Sequence, residues 1–216
     1  MRSFWTEPFL WIHLAGLAAV PLALEFVWLG LAVGDPILPV WMELLLIAVV
    51  GIAPVLWMQL IRPFDIFSIL VLALKPEQLT VEQRRILSLF KTKNNPVLNI
   101  IAGVFMLWVL WQIYRVAPVA ATVAPFSPGW RIAGLIWAGL AFLGSNLFLQ
   151  VPLSVLQVLL TSESEFAAIE PYPLEKMSQD FTIPGVKVNK ILPTLVTPPL
   201  SASYSKVSSP ESQSEN

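Results

Sequence analysis

The chain reads as an all-α bundle of four transmembrane helices in two antiparallel hairpins, followed by a disordered C-terminal tail. Three observations predict this. Of 216 residues, 56% are hydrophobic and only 12% are charged, about half the charged fraction of an ordinary soluble domain. Mean hydropathy is +0.71. Four apolar runs, 9–33, 39–61, 97–116 and 132–160, each reach the ~20 residues that cross a ~30 Å hydrocarbon core at 1.5 Å per residue.

Arg2 before the first run and small residues around Ala18 to Ala23 within it loosely fit a signal peptide, but Glu7 and apolar sequence continuing to Val33 argue against cleavage. Gly34-Asp35-Pro36 is a turn, and Pro39 suits the first turn of the next helix, so runs one and two form a tight hairpin. Pro21, Pro54 and Pro152 are candidate kinks, because each removes a backbone N–H and crowds the turn before it. The stretch "PFDIFSILVLAL" is too short to span and is expected at the membrane interface.

An amphipathic helix at about 81–92 comes next. Thr80 and Gln83 have capping-box spacing, and Val81, Ile86, Leu87 and Phe90 share a face. It is expected to lie on the membrane surface with Arg84 and Arg85 toward water or headgroups, and Lys91 and Lys93 near its end. Asn94-Asn95-Pro96 ends it. The loop 117–129 is small and uncharged. From Thr161 to Asn216 Ser, Pro and Glu dominate. Such a segment does not bury enough apolar area to offset its ordering entropy, so disorder is expected over 161–216. "FTIPGVKVNKILP" is its least polar part and the piece expected to order on a partner.

The loop 61–96 carries Arg62, Lys75, Arg84, Arg85, Lys91 and Lys93, whereas 33–39 has no Lys or Arg. The positive-inside rule places 61–96 and both termini in the cytoplasm. The tail is net acidic. It faces the basic loop on that side, and screening favours two separately solvated segments over their association.

Two carboxylates interrupt the first two spans. Glu25 lies about nine residues before the outer turn, on the order of 12 Å deep, and Glu43 about four residues past it, roughly 6 Å deep. Arg115 and Arg131 sit at the same side of the other hairpin. Pairing relieves the cost of a charge in lipid, so Glu25 and Glu43 are expected to face Arg115 and Arg131. Three other readings stand beside it: Glu43 snorkels to the interface, Glu25 is protonated and hydrogen-bonded, or both acids belong to an ion or proton relay in a small transporter or channel subunit. His13, the sole histidine, is a candidate axial ligand to chlorophyll or haem, or an interfacial histidine bonded to headgroup or backbone.

Two stripes mark the fourth span. Gly134, Ala138, Ala141 and Ser145 form a small-residue face for close helix packing; Asn146, Gln150 and Gln157, with Ser154 near them, form a polar one. The first span has a similar small stripe at Gly16, Ala19, Ala23 and Gly30, with Glu25 on the opposite side.

No cysteine is present, which excludes disulfides and thiolate chemistry, and a single histidine excludes a multi-histidine metal centre. Phosphate-binding, dinucleotide, zincin and nucleophile-elbow motifs are absent. Net charge is −1 and no basic-aromatic stretch suggests nucleic acid. The expectation is therefore a non-enzymatic accessory or assembly protein in a lipid bilayer, docking on a larger membrane complex, with homo-oligomerisation open.

The opening "MRSFWTEPFLWIHLAGLAAVPLALE", "GLAVGDPILPVWMELL" and "KPEQLTVEQRRILSLF" resemble the cyanobacterial low-complexity tail membrane proteins over about 1–160. The Ser/Pro/Glu character of 161–216 agrees. The resemblance implies a thylakoid or plasma membrane and a role near a photosynthetic or other membrane complex. It carries no catalytic residue over.

Overall fold

The computed structural model describes residues 2–69 and 71–192. It is mostly helical. Among the described residues four helices are long and apolar enough to cross a membrane: α1 (Pro8–Leu31), α2 (Val40–Ile61), α4 (Pro96–Val116) and α5 (Arg131–Leu160). Helix α3 is Val81–Lys93. Two short helices, α6 (Glu163–Ala168) and α7 (Leu174–Asp180), come after them. Three short strands, β1 (Ser68–Ile69), β2 (Leu72–Leu74) and β3 (Val186–Val188), complete the described chain.

Local chemistry explains the ends. Thr80 and Gln83 form the expected capping box at the start of α3. Asn95 caps α4, its side chain accepting from the Val97 amide, with Pro96 at the first helical position. Pro54 and Pro152 sit inside continuous helices. In α1 the chain tightens into a 3-10 stretch at Gly16–Ala18. Pro21 lies one turn later, and its missing N–H leaves the Leu17 carbonyl without the usual donor.

Helix α5 is the hub. It runs along both α1 and α2, and α2 packs in turn on α4. The small residues make this possible. A Cβ on Gly30 would lie 2.7 Å from the Gly134 carbonyl oxygen, and one on Gly134 would lie 2.6 Å from that of Gly30. The two stripes therefore meet backbone to backbone at one crossing, and Gly16 abuts Phe148 farther along. On the other side of α5, Phe142 fills the space left by Gly51, where a Cβ would fall 2.4 Å from its ring.

One end of the bundle carries a folded cap, and here expectation and structure differ. The segment "PFDIFSILVLAL" is not a lone apolar stretch but part of a small sheet. Its β1 pairs antiparallel with β2, and β3 from the C-terminal part adds parallel to β2. Gly185 permits this junction: its φ is +70°, and a Cβ there would lie 1.9 Å from the Val71 carbonyl oxygen. Ile86, Leu87, Leu89 and Phe90 of α3 face protein, buried with Phe67, Val158 and Phe166; Val81 is exposed. An apolar helix face needs a greasy partner, and the chain supplies one itself.

The segment 161–192, expected to be disordered, is ordered. Phe166, Met177 and Phe181 are buried in the cap core, with Ile169 and Tyr172 packed against it. Those apolar side chains provide the burial that composition averaged over Ser and Glu hides. The rest of the tail, 193–216, for which disorder is also expected, lies outside the described residues.

Candidate functional site

At the uncapped end, the chain closes with a charged lock. Arg131 is 3% exposed and Glu43 0%. The guanidinium Nη2 donates to Glu43 Oε2, Nε donates to the same oxygen at 3.2 Å, and Nη1 donates to the carbonyls of Leu31 at 2.7 Å and Val33 at 3.0 Å. Glu43 Oε1 in turn accepts from the amide of Ile37 at 3.0 Å. The pair thereby ties the end of α1, the start of α2 and the start of α5 together. A planar fork with five donors suits this task.

The other two charges do not join it. Glu25 is exposed on the outer side of α1, away from the stripe that meets α5, and makes no ion pair or side-chain hydrogen bond with any described residue. Arg115 is also exposed and reaches only Gln112 Oε1, at 3.4 Å. The expected four-charge cluster is thus one buried pair, because the packing of α1 on α5 turns Glu25 outward.

Toward the cap, Asn146, Gln150 and Ser154 of the α5 polar stripe are buried, and Gln157 is half-buried. Asn94 Nδ2 donates to the Gln59 carbonyl at 2.5 Å, while its Oδ1 accepts from Asn99 Nδ2 at 2.9 Å and from Ser154 Oγ at 3.3 Å. Gln59, Asn99, Asn146 and Gln150 are all 0% exposed. Both amide atoms of Gln59 and Gln150, and the Oδ1 of Asn99 and of Asn146, have no hydrogen-bond partner among the described residues. Ser145 and Asn146 bond back to the Phe142 carbonyl of their own helix. The seam ends there: beyond Phe142 lie Val27, Ile47, Met106, Leu110 and Ala138, all apolar and buried.

The cap is clamped by the segment after α5. Lys91 pairs with Asp180 at 3.0 Å and Lys93 with Glu165 at 2.5 Å. Arg62 Nη2 donates to the Ser178 and Phe181 carbonyls at 2.6 and 3.1 Å, and Ser88 Oγ to that of Glu170 at 2.8 Å. Arg2 and Trp5 both donate to the Leu159 carbonyl. Basic loop and acidic segment therefore meet directly, where screening alone favoured separation. The apolar contact of Phe166, Met177 and Phe181 holds them in register, so the ions need not do so unaided. Bonds to Tyr172 and to Lys91 keep the Asp180 carboxyl below its ordinary value.

The low-complexity tail membrane protein-like family matches residues 6–193. The chain belongs to that family. No curated protein and no solved structure matches it. As a low-complexity tail membrane protein-like chain it is a membrane protein, and the matched range takes in the cap segment as well as the four long helices.

In this low-complexity tail membrane protein-like chain, His13 is half-buried beneath the cap. Its Nε2 lies 2.9 Å from the Ile66 carbonyl, to which it donates, and its ring meets Phe64 edge-on. The pocket it lines with Phe148 and Pro152 holds about 180 Å³, below the ~300–1,000 Å³ of small-molecule sites. The Nε2 that would ligate a pigment metal is engaged with the Ile66 carbonyl. Arg84 and Arg85 are half-buried in the cap, Arg84 reaching the Tyr172 carbonyl at 3.5 Å. Among the described residues no group of His, Asp and Glu has the arrangement of a metal site.

Sequence reading missed Asp65. It is 1% exposed, with Oδ1 accepting from the Phe67 amide at 3.0 Å and Oδ2 unpartnered. Burial pushes its pKa up to about 6, against the lowering effects of the Phe67 amide and Lys187. The folded chain therefore holds this proton more tightly than the unfolded one, whose value is near 3.8. The fold is favoured below about pH 4 and loses that advantage as pH rises through about 6, by roughly 3 kcal/mol in all. Asp65→Asn keeps the acceptor for Phe67 and removes the charge. It is expected to protect the cap amides more strongly from hydrogen exchange at pH 7.5 than wild type, with the difference vanishing near pH 4.

Proposed function

We propose that this chain is a non-enzymatic membrane accessory protein that holds its low-complexity stretch at a fixed place beside the bilayer for a larger membrane complex. The carrying observation is the cap: residues 161–192, the described part of the C-terminal region, are folded onto the 61–96 loop by apolar and ionic contacts. Further support comes from the charged and polar side chains. The Glu43–Arg131 lock and the cap ion pairs are engaged in structural contacts. The basic loop supports a cytoplasmic cap and cytoplasmic termini, and the resemblance over 1–160 supports a thylakoid or plasma membrane.

A transporter or channel is the second reading, favoured by the unpartnered amides of Gln59 and Gln150. Against it stand Phe142 set into Gly51 and the apolar layer beyond, and neither Glu25 nor Glu43 lies on the seam. Extraction of the tagged chain from native membranes in mild detergent, with native gels and mass spectrometry, separates the two. The full chain is expected in a defined larger complex, and a chain ending at 192 is expected to be equally stable but alone. A full chain recovered alone, with ion flux in proteoliposomes that Gln150→Leu abolishes, overturns the accessory reading.

A further inference from the structure

At the uncapped end a cavity opens between the turn after α1, the end of α4 and the connection to α5. It holds about 450 Å³, within the ~300–1,000 Å³ of small-molecule sites. Leu31, Asp35, Tyr114, Arg115, Phe126 and Arg131 are among its walls. Backbone contact fixes its shape: Gly34 has a φ of +62°, and a Cβ there would lie 2.1 Å from the Pro128 carbonyl oxygen, so turn and connection touch directly. Arg131 is committed to Glu43 and to the Leu31 and Val33 carbonyls. Asp35 and Arg115 are exposed and belong to no ion pair among the described residues; Arg115 reaches only Gln112 Oε1, at 3.4 Å. The cavity therefore offers one acceptor carboxylate and one donor guanidinium whose charges cancel.

An apolar groove between α2 and α4 adjoins this cavity. Trp41, Leu45, Leu107 and Trp111 are exposed and form its rims, while Ala48 and Leu110 are buried and form its floor. Trp111 lines both groove and cavity, and Arg115 follows it by one turn of α4. Along α2 the groove extends from Val40 to Ala48, about 12 Å at 1.5 Å per residue. A partner's spanning helix would contact such a surface over the full ~30 Å of the hydrocarbon core, well beyond this slot. A flexible alkyl chain matches a short apolar slot, and the bilayer supplies one. Tryptophans at its rims suit the headgroup level, where one end of the ring is apolar and the other wet.

We propose that groove and cavity together form a lipid site: one acyl chain lies between α2 and α4, and an uncharged, hydroxylated headgroup of the sugar type enters the cavity past Trp111. Hydroxyls both donate and accept, so one headgroup bonds to Asp35 and to Arg115 at once. A purely anionic headgroup would gain Arg115 but meet Asp35, and a cationic one the reverse. Trp111 and Tyr114 are stacked, with ring centroids 6.4 Å apart and planes at 15°. With Phe126 they give flat apolar surfaces for the C–H face of a sugar ring.

The test mixes the full chain, delipidated in mild detergent, with equal amounts of a monohexosyl diacylglycerol, a phosphatidylglycerol and a phosphatidylcholine of matched acyl chains, read by native mass spectrometry. One hexosyl lipid per chain is expected, several-fold above the other two. Asp35→Ala and Arg115→Ala, both at exposed positions, should each lower its retention several-fold while thermal unfolding stays unchanged. A hexosyl lipid carrying a diazirine in mid-chain should, on illumination, label peptides around Leu45 and Leu107. Equal retention of the three lipids, or label spread over all four long helices, means annular lipid only and overturns the proposal. Retention unchanged in both alanine variants does so too. Preference for phosphatidylcholine or phosphatidylglycerol overturns the headgroup assignment. A lipid-free pair of chains by mass, lost in Trp111→Ala, gives the groove to a second copy and overturns the lipid site.

Discussion

Arg131→Leu is expected to destabilise the bundle by about 3–5 kcal/mol, the usual effect of leaving one member of a buried ion pair behind. The loss has two parts. Glu43, wholly buried, would keep a charge with only backbone amides to face it. The carbonyls of Leu31 and Val33 would lose their donor at the same time. Arg131→Lys should fall between, since one ammonium does not cover a carboxylate and two carbonyls in three directions. Glu43→Leu/Arg131→Leu should be less harmful than Arg131→Leu alone, because no unpaired charge remains. Thermal unfolding in detergent, with the amount of chain held in membranes, checks the order: wild type, double variant, single variant. An Arg131→Leu chain as stable as wild type would remove the lock from the account of the fold.

That lock shows how far residue types carry and where they stop. Depth along the helices was enough to put Glu43 and Arg131 at one end of the bundle. It did not decide which of two acids met which of two arginines, since that depends on azimuth. The azimuth was also on view. Gly16, Ala19, Ala23 and Gly30 make the close face of α1, and Glu25 lies opposite. Once that face meets Gly134 and Ala138, Glu25 points outward, so packing outranked charge.

The four long helices were legible because hydropathy over ~20 residues is a strong signal. The cap was not, for two physical reasons. An amphipathic helix such as α3 looks the same whether its apolar face meets lipid or protein. And β1 and β2 are only two and three residues long, with a third strand arriving from more than a hundred positions away. Window-based periodicity does not reach that far. In the segment after α5 the signal was present as Phe166, Ile169, Tyr172, Met177 and Phe181, spaced widely enough for Ser, Glu and Pro to dominate the average.

Truncation separates the cap segment from the low-complexity stretch. A chain ending at Asn216 and one ending at 192 are expected to unfold alike. A chain ending at Leu160 should lose the cap as a cooperative unit. Burial of Phe166, Met177 and Phe181 contributes about 1.5–3 kcal/mol each, or roughly 4.5–9 kcal/mol together before the entropy of ordering 161–192 is set against it. The effect extends past the deleted residues, because Phe67, Leu87 and Phe90 would meet water instead of those side chains and β2 would lose β3 along one edge. The Lys91–Asp180 and Lys93–Glu165 pairs would vanish too, but both are partly exposed and contribute little. Lys91→Glu should therefore change cap stability by less than about 1 kcal/mol, far less than the truncation. Limited proteolysis of the 61–96 loop reads the difference: protected in the chain ending at 192, cleaved in the chain ending at 160. Equal protection in both would mean that α3 and the hairpin fold without the C-terminal segment, and the low-complexity stretch would then have no fixed base from which to reach a partner.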